Sequence, residues 1–228
     1  MKKLGLKISV ALNALLVAAG VAAAWSAMGL LASFTEQMFE RRQTQFEVLA
    51  PQGGILFVGD SITEGGMWAE LFSRPDVWNR GIGGDTTSGV LSRMDSLVAI
   101  APKQIFLMIG VNDLNQGFPR AETLENYQAI LDAFAERLPE AQIVVQSVLP
   151  VSPAWPWVDN QDIQTLNQQI RGFSEARELR YVDLHPLVVD AQGNLQADLT
   201  NDGIHLVGSA YARWRDHLRP MLRAEDLW

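Results

Sequence analysis

The fold is decided by residues 55–61, whose sequence is ILFVGDS. Four apolar residues follow one another without interruption, and a glycine, an acid and a serine come directly after them. A continuous apolar run, rather than an alternating one, is typical of a strand that is buried on both faces of a parallel sheet. The stretch therefore predicts a buried strand of an α/β protein, with polar side chains where that strand ends.

The same pattern recurs outward from this strand. Four more strand patterns lie at residues 77–79, 104–109, 143–149 and 181–184. Helical patterns alternate with the strands at residues 64–73, 86–98, 121–138, 160–177 and 207–224. This alternation predicts a doubly wound α/β fold, in which a five-stranded parallel sheet lies between two layers of helices.

Composition excludes several classes of protein. The 228 residues, 48% of them hydrophobic and 19% charged, suffice for one globular domain with a core. The chain has no cysteine, which excludes disulfides, thiolate metal sites and a cysteine nucleophile. Its net charge is −8, and three of its four lysines lie within the first seven residues, so the body is more acidic still. An acidic body binds phosphates poorly, and we expect no nucleic-acid partner.

The N-terminal residues 8–34 form an apolar run that carries no charge. As a helix, at about 1.5 Å per residue, this run would exceed the ~30 Å thickness of a bilayer's hydrocarbon core. We therefore predict that residues 1–34 anchor the protein in a bacterial-type inner membrane, with the N-terminal lysines cytoplasmic and the acidic body periplasmic. The alternative is a secreted protein whose signal is cleaved after the alanines at 22–24, although the apolar run continues to Phe34.

A polar, glutamine-rich segment separates this run from the α/β pattern. Its apolar residues recur at roughly helical spacing, which predicts a stalk helix within residues 35–53, ended by Pro51 and a glycine pair. A flexible tether is the alternative. In both cases residues 54–228 form the globular domain.

Four polar loops follow the predicted strands. They are Gly59-Asp60-Ser61, Gly81 to Thr86, Gly110 to Asp113 and, across a longer loop after the fifth strand, Asp202 to His205. The carboxyl ends of parallel strands open onto one edge of a sheet, where ligands bind. We therefore expect the four loops to converge there, although more than 140 residues separate the first from the last.

The residue types in these loops suit acyl transfer. A serine on a strand-to-helix turn is exposed, but its hydroxyl needs a base to take its proton before it attacks. Asp202 and His205, three residues apart, can place a carboxylate against one imidazole nitrogen while the other nitrogen faces Ser61. Gly84 permits close approach of a backbone N–H to a developing oxyanion, and the Asn112 amide offers a second donor.

Each of these residues also has an explanation without chemistry. Helix caps or turns account for most of them: Ser61 with Glu64 as a capping box, Asp85 or Thr86 as caps, and Asn112-Asp113 as a turn. A satisfied loop histidine would account for His205. The other histidines are interpreted as structural support after the fifth strand (His185) and as a surface residue of the last helix (His217).

Taken together, the four loops resemble the four sequence blocks of the SGNH (GDSL-type) hydrolase superfamily, in order and in spacing. The resemblance covers about residues 54–222 and implies a flavodoxin-like α/β/α fold. It implies that Ser61 is the nucleophile, that His205 is the base and that Asp202 orients it. It also implies an oxyanion hole in which Ser61 donates its backbone N–H, completed by Gly84 and by Asn112. The sequence around Ser61 most resembles the branch of platelet-activating-factor acetylhydrolase-like and carbohydrate O-acetylesterase members.

The expected activity is hydrolysis of a carboxylic ester by a membrane-tethered serine enzyme, through an acyl-enzyme and without a metal or organic cofactor. The expected substrates are, in order, acetylated glycans, lysophospholipids and acyl thioesters. Trp155 and Trp157, in the loop after the fourth strand, are candidate residues of the substrate site, although packing of that loop explains them equally well. The alternative from another class is an anchored, non-catalytic module that binds a glycan or a partner.

Overall fold

A computed structural model describes residues 2–49 and 51–223 of the chain. The chain forms two compact units, Met1–Arg41 and Arg42–Trp228, and each is described by itself. The helices are α1 (Lys2–Val48), α2 (Ser61–Glu64), α3 (Trp68–Phe72), α4 (Thr87–Ser92), α5 (Met94–Val98), α6 (Val111–Asn115), α7 (Arg120–Arg137), α8 (Asn160–Ala176) and α9 (Gly208–Leu218). The strands are β1 (Ile55–Gly59), β2 (Val77–Gly81), β3 (Gln104–Met108), β4 (Gln142–Gln146) and β5 (Arg180–Val182).

The first unit consists of the N-terminal part of α1. Within α1, the part from Leu16 to Val48 is long and apolar enough to be a membrane-spanning helix or a signal sequence. The large apolar side chains described between Leu16 and Phe34 are exposed. The predicted apolar N-terminal helix is thus confirmed. The segment predicted as a stalk or tether is helical from residue 35 as far as Val48, short of the predicted end at Pro51.

The second unit is built on one sheet of five parallel strands in the order β2-β1-β3-β4-β5. This is the flavodoxin-like order, in which the chain changes direction across the sheet between β1 and β3. Ile55 of β1 pairs with Val77 of β2 on one side and with Gln104 of β3 on the other. The predicted fold class is confirmed, and its ligand-binding edge lies beyond Gly59.

The central strands β1 and β3 are apolar apart from Gln104, because helices cover both faces of the sheet. All five residues of β1 and all five of β3 are buried. On one face the Phe57 ring stacks on Trp68 of α3 at 4.2 Å, and Trp68 meets Trp214 of α9 edge to face at 4.8 Å. On the other, α7 packs against α4, α5 and α8. This core holds the carboxyl end of β1 in place, and Ser61 lies two residues beyond that end.

Several predicted elements have different bounds in the structure. The helix predicted at 64–73 is instead divided between α2 and α3, which residues 65–67 separate, and the helix predicted at 86–98 is interrupted at Arg93. The fourth strand ends at Gln146 instead of residue 149, because Asn167 of α8 takes both backbone hydrogen bonds of Val148, at 2.8 Å each. The last helix ends at Leu218 and continues as a short 3₁₀ turn, and residue 224 lies outside the described residues.

Candidate active site

Ser61 is the first residue of α2, and only Asp60 separates it from the end of β1. The helix cap is Asp60, whose Oδ1 accepts a hydrogen bond from the backbone N–H of Ile62 at 2.9 Å. The capping box predicted for Ser61 is therefore absent, and the Ser61 hydroxyl is not used as a cap. It lies 2.9 Å from Nε2 of His205.

The imidazole of His205 lies between Ser61 and a carboxylate. Its Nδ1 is 2.6 Å from Oδ2 of Asp202, while Oδ1 of Asp202 accepts the backbone N–H groups of Ile204 at 3.0 Å and His205 at 2.8 Å. Partial burial of the Asp202 carboxyl raises its pKa, but these hydrogen bonds outweigh burial and lower the pKa to about 2. Asp202 is therefore a fixed anion that holds the imidazole towards Ser61.

The glycine loop after β2 lies beside Ser61. Gly84 has a φ of +77°, which favours glycine over other residues. A Cβ on Gly83 would lie 4.0 Å from Cβ of Ser61, and a Cβ on Gly81 would lie 2.2 Å from the backbone nitrogen of Glu64. At Gly81 the loop thus packs against the Ser61 turn at a distance that only glycine permits.

Asn112 joins the third predicted loop to the second. It lies in α6, the helix that follows β3 after two residues, and its Nδ2 donates to the backbone carbonyl of Asp85 at 2.9 Å. The predicted turn at Asn112-Asp113 is instead the start of this short helix. The next residue, Asp113, is buried, and its carboxylate accepts hydrogen bonds from the backbone N–H and the hydroxyl of Thr87.

A buried ion pair that sequence reasoning missed lies beneath these loops. Oδ2 of Asp85 lies 2.9 Å from Nε and 2.8 Å from Nη2 of Arg93, and both side chains are fully buried. Arg93 also donates to the backbone carbonyl of Gly59 at 3.3 Å, so it connects the glycine loop to the end of β1. Asp85 does not cap α4, since Thr86 is the cap. The signal was a lone arginine within a predicted amphipathic helix, which does not reveal its partner.

Two of the acids in this region are held in unusual electrostatic surroundings. Burial raises the pKa of Asp60 to about 7, although the hydrogen bond from Ile62 opposes the change. Burial likewise raises the pKa of Asp85 to about 6, with the positive charge of Arg93 opposing it. Burial thus favours the neutral form of both carboxyls, and at Asp85 the ion pair with Arg93 opposes this effect.

The remaining candidates lie outside this constellation. Trp155 is half-buried, and its indole donates to Oδ1 of Asn115 at 3.2 Å, so its loop packs against α6. Trp157 is 70% exposed.

The two other histidines lie apart from Ser61. His185 follows β5 with its Nε2 buried, and burial lowers its pKa. His217 is half-buried in the last turn of α9. Among the described residues, no group of three or more histidines and acids is arranged to hold a metal ion.

Comparison with known proteins assigns this chain to a family. The sequence profile of the GDSL-like lipase/acylhydrolase family matches residues 57–213, which include all four loops. The chain belongs to this family. The predicted resemblance to the SGNH hydrolases is confirmed, and the chain is accordingly an acylhydrolase or esterase.

Relatives of this GDSL-like acylhydrolase support the same branch. The platelet-activating factor acetylhydrolase IB subunit alpha2 of Rattus norvegicus is 32% identical over 166 residues, which cover 70% of this chain and 71% of the relative. A solved structure of a protein from Streptococcus pneumonia, described as a platelet activating factor, is 31% identical and superposes with a TM-score of 0.81. The match covers 86% of this chain and 98% of that protein's chain. The acetyl xylan esterase AlAXEase is 20% identical with a TM-score of 0.64, covering 75% and 100%, and shares the fold alone.

Proposed function

We propose that this GDSL-like hydrolase uses Ser61 as a nucleophile, His205 as a general base and Asp202 as the group that orients the base. One observation carries the proposal: Ser61 Oγ, His205 and Asp202 form a continuous chain of contacts at 2.9 Å and 2.6 Å. Hydroxyl, imidazole and carboxylate in this order activate a serine for attack on a carbonyl.

The reaction follows from this order. His205 Nε2 takes the proton of Ser61 as Oγ forms a bond to the ester carbonyl carbon, and the carbonyl oxygen becomes an oxyanion. The protonated imidazole then gives its proton to the leaving alcohol as the ester C–O bond breaks, which leaves an acyl group on Ser61. Water, deprotonated by His205, attacks this acyl-enzyme in the same way and releases the acid.

The oxyanion is stabilised by donors from three loops. They are the backbone N–H of Ser61, the backbone N–H of Gly84 and the side-chain amide of Asn112. The amide of Asn112 has two N–H groups, and the hydrogen bond to Asp85 uses only one of them. The second can therefore reach a developing negative charge without loss of the first.

The proposed substrate is a short acyl ester, in particular an acetyl ester, of a glycan or lipid alcohol. An acetyl group is favoured by the name of the rat relative, an acetylhydrolase that is 32% identical over 70% of this chain.

The proposed location is the periplasmic face of a bacterial inner membrane. Support comes from the apolar part of α1, which is long enough to span a bilayer, and from the lysines that precede it. In this arrangement residues 1–34 are the anchor, residues 35–53 are a stalk and residues 54–228 are the hydrolase domain.

A panel of p-nitrophenyl esters with acyl chains of increasing length tests the activity and the acyl preference together. We expect the acetyl ester to give the highest kcat/KM, and Ser61→Ala and His205→Ala each to abolish most turnover. The double variant should be little worse than either single variant, because the two residues act as one unit. A preference for long chains would contradict the acetyl assignment, and full turnover by Ser61→Ala would contradict the serine mechanism.

A further inference from the structure

The last two turns of α1 are fixed to the hydrolase unit by an aromatic side chain. Phe46 is only 6% exposed, and it packs between two guanidinium groups, 5.0 Å from that of Arg42 and 4.5 Å from that of Arg80. Arg80, a buried residue of β2, also donates to the backbone carbonyl of Leu49 at 2.7 Å. We call residues 42–49 the docked segment. It is part of the second compact unit.

The docked segment brings a positive charge to the helix that carries Ser61. Nε of Arg42 lies 3.3 Å from Oε1 of Glu64, and both side chains are 34% exposed. Glu64 is the last residue of α2, three positions after Ser61. The contact therefore connects the segment that precedes the domain to the turn that holds the nucleophile.

The Glu64 carboxylate lies against the glycine loop. A Cβ built on Gly83 would be 3.1 Å from Oε2 of Glu64 and 4.0 Å from Cβ of Ser61. The carboxylate and the Ser61 side chain thus approach the same glycine, and Gly84 is the next residue. An anion at this position repels the negative charge that develops on the substrate oxygen.

We propose that Arg42 neutralises Glu64 and so keeps the oxyanion hole favourable for negative charge, an inference that rests on the proposed serine mechanism. Arg42 is then a positioning residue that acts through Glu64, and the stalk contributes to catalysis as well as to attachment. The role is electrostatic, because Phe46 and Arg80 already hold the segment in place. Partly exposed ion pairs contribute little to stability, so the effect should appear in turnover.

The test uses full-length protein in detergent with p-nitrophenyl acetate as substrate. We expect Arg42→Ala to lower kcat about three- to tenfold with little change in KM, and Arg42→Lys to retain most of the activity. The double variant Arg42→Ala/Glu64→Gln should recover most of the lost kcat, because no anion is left to neutralise. The deficit of Arg42→Ala should also shrink as salt rises to 1 M, where charges are screened within about 3 Å.

A matched control is Arg171→Ala, which removes an arginine from an exposed ion pair with Glu175 on α8 and should leave kcat unchanged. An Arg42→Ala variant with unchanged kcat would overturn the inference. So would a deficit that the double variant does not recover, because that result indicates a purely structural contact. Ser61→Ala is assayed in parallel: if it retains turnover, the serine mechanism fails, whereas if it is inactive, the Arg42 series tests Arg42 alone.

Discussion

At the scale of single residues, Asn112 has an observed place in the fold and a proposed place in the oxyanion hole. In the structure its amide donates to the backbone carbonyl of Asp85, which a turn residue would also do. If the second N–H stabilises the oxyanion, Asn112→Ala should lower kcat about 10²–10³-fold while KM changes little. Measuring kcat and the thermal midpoint on the same folded preparation separates the two roles. A large fall in the midpoint with near-normal kcat would reject the oxyanion role.

Asp60 gives a prediction about pH and stability. Its pKa in the fold is about 7, raised by burial from an ordinary value of 3.8, so the folded protein holds this proton more tightly than the unfolded chain does. The stability from this proton is present below pH 4 and is lost as pH rises towards 7. Asp60→Asn should therefore flatten the decline of the thermal midpoint between pH 4 and 7.

In the Asp60→Asn variant the side-chain amide oxygen can still accept the hydrogen bond from the backbone N–H of Ile62, so the helix cap is kept. Asp198→Asn, at an exposed position, controls for the loss of a charge. If Asp60→Asn showed the same pH profile as the original protein, Asp60 would not be the group that titrates.

At the scale of elements, Arg93 lies at the interruption between α4 and α5 and forms a buried ion pair with Asp85. Replacing Arg93 by Met should leave the Asp85 carboxylate buried without its cation and lower the free energy of unfolding by about 3–5 kcal/mol. The double variant Asp85→Asn/Arg93→Met should lose less than Arg93→Met alone. Urea unfolding measures both.

Arg177→Met provides the comparison, since Arg177 pairs with Asp132 at the surface and its loss should cost about 0–1 kcal/mol. A double variant that is less stable than Arg93→Met would contradict this explanation, because the unpaired Asp85 carboxylate would then not be the source of the loss.

The helices and strands could be predicted from the sequence where the pattern of apolar residues alone determines them. The continuous apolar runs of β1 and β3 indicated strands because helices bury both faces. Features that depend on a particular side-chain partner were missed: Arg93, at the break between α4 and α5, pairs with Asp85, and Asn167 takes the hydrogen bonds of Val148 after the early end of β4. Hydrophobic periodicity does not register such side-chain partners.

At the scale of the whole molecule, the candidate site was predictable because four loops follow strands of one parallel sheet. Parallel topology brings Ser61 and His205 together across 144 positions, and the sequence blocks carry that order. The contact of Arg42 with Glu64 was not predictable, because it joins the segment before the domain to the domain itself. A polar stretch ahead of a domain has the composition of a linker whether or not it docks.

The N-terminal helix carries a prediction about location. Full-length protein should remain with the membrane fraction after washing with high salt and with alkaline carbonate, because apolar burial is insensitive to both. Protease added outside spheroplasts should digest the hydrolase domain. Release by salt, or a mature N-terminus just after the alanines at 22–24, would show that the segment is a cleaved signal.

The central claim is that Ser61 is a nucleophile activated by His205, and covalent labelling with a fluorophosphonate tests it most directly. This reagent forms a stable bond to an activated serine oxygen, and peptide mapping by mass spectrometry locates the adduct. We predict one adduct, on Ser61, that forms much more slowly in His205→Ala and is absent in Ser61→Ala. An adduct on another residue, or labelling of Ser61 at an undiminished rate in His205→Ala, would contradict the account.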